Sequence, residues 1–283
     1  MPARPLSFGD TVEGLLRLSA RILWRTALLV ALVIGPYQLL SSFVVARVMP
    51  ESFSPGALLG DQPALAPGEL LERFGIWTVV LQVLGLLVHL VVVTAAVGFV
   101  LQEDRGEPPS IRAALRLAID RSGATVGGSV LLLAGSLVLA VLLVPLGVVL
   151  AAVPGVGAIL AVALAVAAAA TIAGAVLLVV PVAATHDRGA WTTFRRVVAI
   201  VRRRVGRLLG TVGLVVLTLL VALLVSIPAV VLLAVVGPPG WVADGLVSTL
   251  VTAIGLPVAA VAGLLVQHDA HLRDEETAAG PRR

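Results

Sequence analysis

Several residue types and motifs are missing from this 283-residue chain, and each absence narrows its chemistry. It has no cysteine, which excludes disulfide bonds, cysteine metal ligands and a cysteine nucleophile. It contains no Walker A loop, no H-E-x-x-H zinc motif and no G-x-S-x-G nucleophile turn. No pair of carboxylates falls within the apolar runs. We therefore expect no enzymatic activity, no cofactor and no bound metal.

Charge is also scarce, because charged residues make up only 13% of the chain while hydrophobic residues make up 59%. With a mean hydropathy of +1.09, the chain is too apolar for a soluble globular protein. Lysine is absent, so all 20 basic residues are arginines. The charges lie in short patches between long apolar runs. This pattern predicts an all-α, polytopic transmembrane helical bundle.

The apolar runs predict one membrane domain over residues 1–283 with six spans. The spans cover about residues 22–48, 74–101, 127–153, 158–184, 208–236 and 241–266. Gly35 and Pro36 interrupt the first span and should kink it. Amphipathic interfacial helices are expected at about 7–21, 109–124 and 190–207, before the first, third and fifth spans. The charged tail, 267–283, is expected to be disordered.

The most basic stretch is residues 187–207, here called the arginine segment. As a helix, it places one apolar stripe opposite most of its arginines; the stripe is Trp191, Phe194, Val198, Val201, Val205 and Leu208. This pattern is typical of a helix in a membrane interface. Because its flanks can cross a bilayer, no nucleic-acid partner is expected. Anionic lipid headgroups are the predicted ligands, held at roughly 1 kcal/mol per charge near the surface. The predicted binding residues are Arg195, Arg196, Arg202, Arg203, Arg204 and Arg207.

An internal repeat runs through the chain. A shift of 83 residues places residues 104–106, Asp-Arg-Gly, on residues 187–189, and it also aligns Pro145 with Pro228. The same shift superposes Arg112 on Arg195 and Arg121 on Arg204. We predict three parallel units, each an interfacial helix followed by two spans. The Asp-Arg-Gly motif is interpreted mainly as a helix terminus, with a gating or recognition rim as the alternative.

Arginine placement predicts the orientation in the membrane. Eighteen of the 20 arginines lie on the side of both termini, and only Arg47 and Arg73 lie on the other side. Because positive charge is retained on the cytoplasmic side, both termini and all three interfacial helices are predicted to be cytoplasmic. The expected location is the plasma membrane.

Two polar residues, Gln82 and His89, are predicted to share one face of the second span. An ionisable group inside a membrane is often functional, so they form a candidate intramembrane polar site. The alternative is a structural hydrogen bond between helices, which we favour. His268 and His271 are spaced to bind a metal together, but nothing supplies the remaining ligands.

The opening residues 5–18 (PLSFGDTVEGLLRL) and the stretch from Val180 to Gly210, with its Asp187-Arg-Gly and Arg202-Arg-Arg runs, carry a resemblance. The chain resembles the glycerophosphoryl diester phosphodiesterase membrane domain family and stand-alone six-span membrane proteins of actinobacteria. The resemblance implies a membrane domain without hydrolase activity, since catalysis in fused members belongs to a separate soluble barrel. The tail, Gln267 to Arg273, departs from a more aromatic family ending.

These observations lead to two functional hypotheses. The first is a non-enzymatic membrane protein that binds anionic lipid and supports or organises components at the cytoplasmic face, including a membrane protein partner. The second is a small-molecule or lipid transporter that uses the repeat interface, with Gln82, His89 and the kinking prolines lining a path.

Overall fold

A computed structural model describes residues 6–48, 67–151, 153, 156–185 and 189–279, and within them every regular element is helical. The first two helices are joined by a π-helical turn, Val30–Ile34. The α-helices are α1 (Phe8–Leu29), α2 (Gly35–Val48), α3 (Pro67–Asp104), α4 (Ile111–Asp120), α5 (Ser122–Ala151), α6 (Gly157–Thr185), α7 (Ala190–Val236) and α8 (Gly240–Ala279).

Six of these helical stretches are long and apolar enough to cross a membrane, which confirms the predicted all-α class with six spans. They are Gly9–Arg47, Val80–Asp104, Ser122–Leu150, Gly157–Thr185, Ala190–Leu233 and Gly240–Glu275. The architecture is consistent with a multi-pass membrane protein. The predicted loop between the first two spans lies mostly outside the described residues.

The first span changes its helical winding just before Pro36 instead of ending there. Gly35 donates its backbone N–H to the carbonyl of Val30, five residues earlier, which closes the π-helical turn. A proline lacks the N–H for the regular bond to the fourth residue back, and its ring crowds that carbonyl. The wider turn accommodates this defect, so the helix continues as α2.

Of the three predicted interfacial helices, only the middle one is a separate helix in the structure. The first is the beginning of α1 and continues into a span. The third is the beginning of α7, where a kink separates it from the following span close to the predicted boundary. In α7 the boundary is a single distorted residue, Arg204, with φ −138° and ψ 33°. Neither boundary has a proline or a capping residue that would end the helix, whereas α4 ends at Arg121 with a non-helical backbone.

The tail differs from the predicted disordered segment. Helix α8 continues past the membrane-spanning residues to Ala279, and only residues 280–283 lie outside the described part. Its last turns contain two side-chain contacts at i,i+4 spacing, the ion pair of Asp269 with Arg273 and a contact of 3.3 Å between His271 Nε2 and Glu275 Oε1. Asp269 and Ala270 are buried against the bundle, so packing stabilises a helix that composition alone does not predict.

The bundle has inner and outer helices. In the most apolar 18-residue window of each span, 67% of residues are buried in α8 and 50% in α3, but only 6% in α5. The buried residues of α3, α6 and α8 concentrate in their C-terminal halves. Helices α8 and α6 approach closely there, because Gly263 lies against the backbone carbonyl of Leu177 and beside Pro181. The C-terminal halves of these three helices, together with α1 and the π-helical turn, therefore form the core.

Candidate functional site

From Ala190 onward the arginine segment forms the first turns of α7, and its buried face agrees only in part with the predicted apolar stripe. Of that stripe, Leu208 is buried, and Phe194 and Val201 pack against the buried cluster. The buried residues are Thr193, Val197 and Ile200, which lie on the side packed against α6 and α8. Trp191, from the predicted stripe, is 57% exposed and stacks on Phe194 with ring centroids 5.4 Å apart. The segment thus has one apolar face toward the protein and a second toward the surroundings.

A buried carboxylate, Asp269, lies next to the arginine segment. Its side chain is 1% exposed and accepts hydrogen bonds from two arginines and one backbone amide. Arg207 Nη1 lies 2.7 Å from Oδ2, and Arg273 Nε lies 3.1 Å from both oxygens. The backbone N–H of Leu6 donates to Oδ1 at 2.8 Å. We call these four residues the Asp269 cluster.

The Asp269 cluster connects three distant parts of the chain. Both arginines also donate to the carbonyl oxygen of Leu6. Arg207 donates through Nη2, and Arg273 Nη2 lies 3.2 Å from the same oxygen. The N-terminal residues, α7 and α8 are therefore held together at one end of the bundle. The charge-assisted hydrogen bonds to this carboxylate offset the free-energy cost of removing it from water. An unpaired buried charge would have no such compensation.

This cluster changes the assignment of Arg207, which the sequence grouped with the lipid-binding arginines. Its guanidinium is committed to Asp269 and Leu6, so its role in the structure is to hold the bundle together. Sequence reasoning missed the cluster because it treated the tail as disordered. The available signal was the i,i+4 spacing of Asp269 and Arg273, which favours an ion pair on a helix.

Four of the predicted arginines line a cavity of about 400 Å³ between the start of α7 and the end of α8. They are Arg195, Arg196, Arg203 and Arg204. We call this space the α7–α8 cavity. Its one carboxylate, Asp274, lies 3.4 Å from Arg203 Nη1 and 3.9 Å from Arg204 Nη2. Gln267, Ala270 and His271 form its α8 wall. The lining therefore carries a clear excess of positive charge.

The remaining predicted arginine, Arg202, faces a different environment. It borders an apolar groove of about 300 Å³ between α5, α6 and α7, beside Phe194, Val198 and Val201. Arg202 and Arg203 are neighbours in sequence and are both exposed, yet only Arg203 lines the α7–α8 cavity. This difference makes Arg202 a matched control for the cavity arginines.

The predicted polar pair, Gln82 and His89, does not converge on one site. His89 is half-buried, and its Nδ1 lies 2.7 Å from the carbonyl oxygen of Gly85 on the same helix. Tyr37 of α2 meets the His89 ring edge-on with centroids 6.1 Å apart, and its hydroxyl donates to the carbonyl of Leu81 at 3.1 Å. These contacts join α2 to α3.

Gln82 is exposed on α3, twenty-two residues before Asp104. At 1.5 Å per residue, this separation corresponds to about 33 Å along the helix. It matches the thickness of the hydrocarbon core, roughly 30 Å. If Asp104 lies at one membrane boundary, Gln82 lies near the other, where its amide meets polar headgroups.

The repeated Asp-Arg-Gly motif can be followed only at its first copy. Gly106 takes φ +71°, a left-handed conformation that favours glycine, and its N–H donates to the carbonyl of Glu103 at 3.1 Å. This geometry is that of a helix terminus. In the second copy, Asp187 and Arg188 lie outside the described residues, as does His186. Within the described ranges, no three carboxylate or imidazole groups come together as a metal site would require.

Comparisons of the chain with protein-family models, curated proteins and solved structures found no match.

Proposed function

We propose that this chain is a non-enzymatic integral membrane protein of the plasma membrane that binds anionic phospholipid headgroups at the cytoplasmic face and organises other components there. The observation that supports the proposal is the α7–α8 cavity, where four arginines surround one carboxylate. Because Asp274 can offset only one of these charges, the cavity attracts a ligand with negative charge.

A phosphate group fits this lining better than other common anions. Arginine offers a planar fork of N–H donors that matches phosphate oxygens and binds them in bidentate fashion. Arg195 and Arg203 lie eight residues apart on one side of α7, about two turns, so their long side chains can approach one phosphate from two sides. The cavity lies where α7 and α8 leave their apolar stretches, which is the depth of a headgroup in the proposed orientation.

The proposed orientation rests on the distribution of arginine. The end of the bundle that carries the Asp269 cluster also carries the arginine segment, and we call it the basic end. Positive charge near the spans is retained on the cytoplasmic side, so the basic end is assigned to the cytoplasm.

We do not advance the transport alternative, because no observation favours it. His89 packs between Tyr37 and its own helix, and Gln82 is exposed on α3, twenty-two residues before Asp104. Neither residue lines the α7–α8 cavity or the apolar groove.

The test is native mass spectrometry of the purified protein with phosphatidylglycerol and phosphatidylcholine. We expect the double variant Arg195→Gln, Arg196→Gln to bind phosphatidylglycerol about 30-fold more weakly, from the loss of roughly 1 kcal/mol per charge. The matched control Arg202→Gln should retain binding close to that of the parent protein. Because Arg202→Gln removes one charge and the double variant removes two, a weakening of about fivefold by Arg202→Gln, at about 1 kcal/mol per charge, would show that binding follows overall charge and would contradict the cavity as the site.

The same spectra address the organising role, since a protein held at the basic end should co-purify in defined stoichiometry. If the cavity binds protein and not lipid, the Arg195→Gln, Arg196→Gln variant will lose that protein while phosphatidylglycerol binding stays unchanged. That result would overturn the lipid part of the proposal.

A further inference from the structure

The structure places a second arginine-lined cavity under α4. Its volume is about 770 Å³, and it lies between α4, the end of α3 and the end of α6. Four arginines line it, Arg105, Arg112, Arg116 and Arg121, together with the carboxylates of Glu107 and Asp120. We call this space the α4 cavity. Like the α7–α8 cavity, it has more positive than negative side chains.

The α4 and α7–α8 cavities use matching positions of the chain. From α4, the lining residues are Arg112, Ala113, Arg116, Leu117, Asp120 and Arg121. Adding 83 to each number gives six residues of α7, from Arg195 to Arg204, that line the α7–α8 cavity. The same shift aligns the Asp-Arg-Gly motifs of the sequence. The shift of 83 residues follows from the sequence motifs alone. The match between the lining positions of the two cavities is therefore independent support for a repeated site.

The walls opposite these helices also correspond. Thr185, at the end of α6, lines the α4 cavity, and Gln267, near the end of α8, lines the α7–α8 cavity. Each lies two residues before the aspartate of its unit, Asp187 or Asp269. Gln102, two residues before Asp104, completes the α4 cavity and accepts a hydrogen bond from the N–H of Ser110 at 2.6 Å. Its amide NH₂ remains as a donor for a ligand.

A third cavity shows that shared geometry does not by itself produce a basic lining. It lies beside α1 and has a volume of about 440 Å³. Four carboxylates line it, Asp10, Glu13, Glu103 and Asp104, with only Arg17 and Arg21 to offset them. Arg21 is already paired with Glu103 at 3.3 Å. The positive excess is therefore a property of the α4 and α7–α8 cavities.

We propose that the α4 cavity is a second phosphate-binding site, equivalent by repeat to the α7–α8 cavity. Arg112 and Arg116, one helical turn apart and both exposed, supply the charged donors, and Gln102 supplies a neutral one. This proposal rests on the proposed phosphate chemistry of the α7–α8 cavity, but its own test separates the two. The phosphate can belong to a phospholipid headgroup or to a soluble phosphate ester.

The experiment counts phosphatidylglycerol molecules held by the full chain in native mass spectrometry. The parent protein should hold two tightly, and the variant Arg112→Gln, Arg116→Gln should hold one, with the other bound about 30-fold more weakly. The variant Arg195→Gln, Arg196→Gln should also hold one lipid. The quadruple variant that combines both pairs of substitutions should hold none. Arg47→Gln removes one arginine at the opposite end of the bundle and, as the control outside both cavities, should hold two.

Two further measurements test the α4 cavity without removing an arginine. Ala113→Glu adds a carboxylate at an exposed cavity position without removing any contact, and it should expel the same lipid. In a second arm, glycerol 3-phosphate at millimolar concentration replaces the lipid. Retention of this ester in place of the lipid assigns the site to a soluble phosphate compound, and its failure to bind where the lipid is held assigns the site to a headgroup.

If the Arg112→Gln, Arg116→Gln variant and the Ala113→Glu variant each still hold two lipids, the proposal of a second site in the α4 cavity is wrong, while the proposed site in the α7–α8 cavity is unaffected. If instead only the α4 variants lose lipid, the proposed function of the α7–α8 cavity fails and the α4 site stands alone.

Discussion

The two ends of the bundle are held together differently. At the basic end, the C-terminal halves of α3, α6 and α8 are buried, and the Asp269 cluster joins them to α7 and to the N-terminal residues. At the other end, α5 and the second half of α7 expose most of their leucines and valines, such as Leu142 at 66% and Leu224 at 63%. The exposed helices have bilayer lipid as their expected contact.

This difference follows from the physics of a membrane. Apolar side chains gain nothing from the hydrophobic effect by leaving lipid for protein, so association depends on close packing and polar contacts. Both occur at the basic end, where Gly263 meets the backbone of α6 and where Asp269 pairs with two arginines. Close packing also occurs at the far end, where Gly245 of α8 lies against the backbone of Leu39 in α2. The far end has a smaller polar contact, the Ser42 hydroxyl with Asp244 at 2.6 Å. We expect stability to depend mainly on the basic end.

The largest effect should come from the buried carboxylate. Asp269→Asn leaves two arginines facing a neutral group, and removing one partner of a buried pair costs about 3–5 kcal/mol. Asp244→Asn, on the same helix but exposed, keeps an acceptor for Ser42 and should cost under about 1 kcal/mol. Thermal unfolding in detergent measures both. Similar losses of unfolding free energy in the two variants would contradict the expectation that stability depends mainly on the basic end.

The next effect contrasts two leucines. Leu264 is 2% exposed in the core near the basic end, and Leu264→Ala should lower the unfolding free energy by about 2–3 kcal/mol through the cavity it leaves. Leu224→Ala, in the exposed half of α7, should change it by less than about 0.5 kcal/mol. Reversible denaturation in mixed micelles gives both values. A Leu224→Ala cost equal to that of Leu264→Ala would mean that the far end has packing partners.

A smaller effect is expected at the close approach of α8 to α6. Gly263→Ala puts a methyl group against the Leu177 carbonyl and Pro181, so α8 must move away from α6, at a cost of about 1–2 kcal/mol. Gly213→Ala adds the same methyl group where no atom lies within 4 Å, and it should be neutral or stabilising because alanine favours a helix. Only Gly263→Ala should therefore lower the melting temperature, and an equal fall in both variants would argue against tight packing at Gly263.

The smallest effect concerns the contact between α2 and α3. Tyr37→Phe keeps the ring beside His89 but removes the hydrogen bond to Leu81, which should cost about 0.5–1 kcal/mol. Unfolding by denaturant measures this difference. A loss above about 2 kcal/mol would mean that the hydroxyl has a role beyond this single bond.

Sequence reasoning predicted the helical class and the six spans, because long apolar runs in a membrane leave few alternatives to a helix. It also predicted that arginines would gather at one end. It assigned all six arginines of α7 to lipid binding. The helical pattern within α7 cannot show that Arg207 contacts Asp269, which lies sixty-two residues later in the chain. The tail was misjudged for the same reason. Its stability comes from contacts with Leu6, at the opposite end of the chain.

The most direct test of phosphate binding at the basic end uses the absence of cysteine. Ala199→Cys places the only thiol inside the α7–α8 cavity, and Gly206→Cys places one on the same helix at an exposed position outside it. Each variant is labelled with a neutral maleimide in nanodiscs, with and without phosphatidylglycerol. We predict that this lipid slows labelling of the Ala199→Cys variant severalfold and leaves that of the Gly206→Cys variant unchanged. Equal rates for Ala199→Cys in both membranes would contradict occupation of the cavity by anionic lipid.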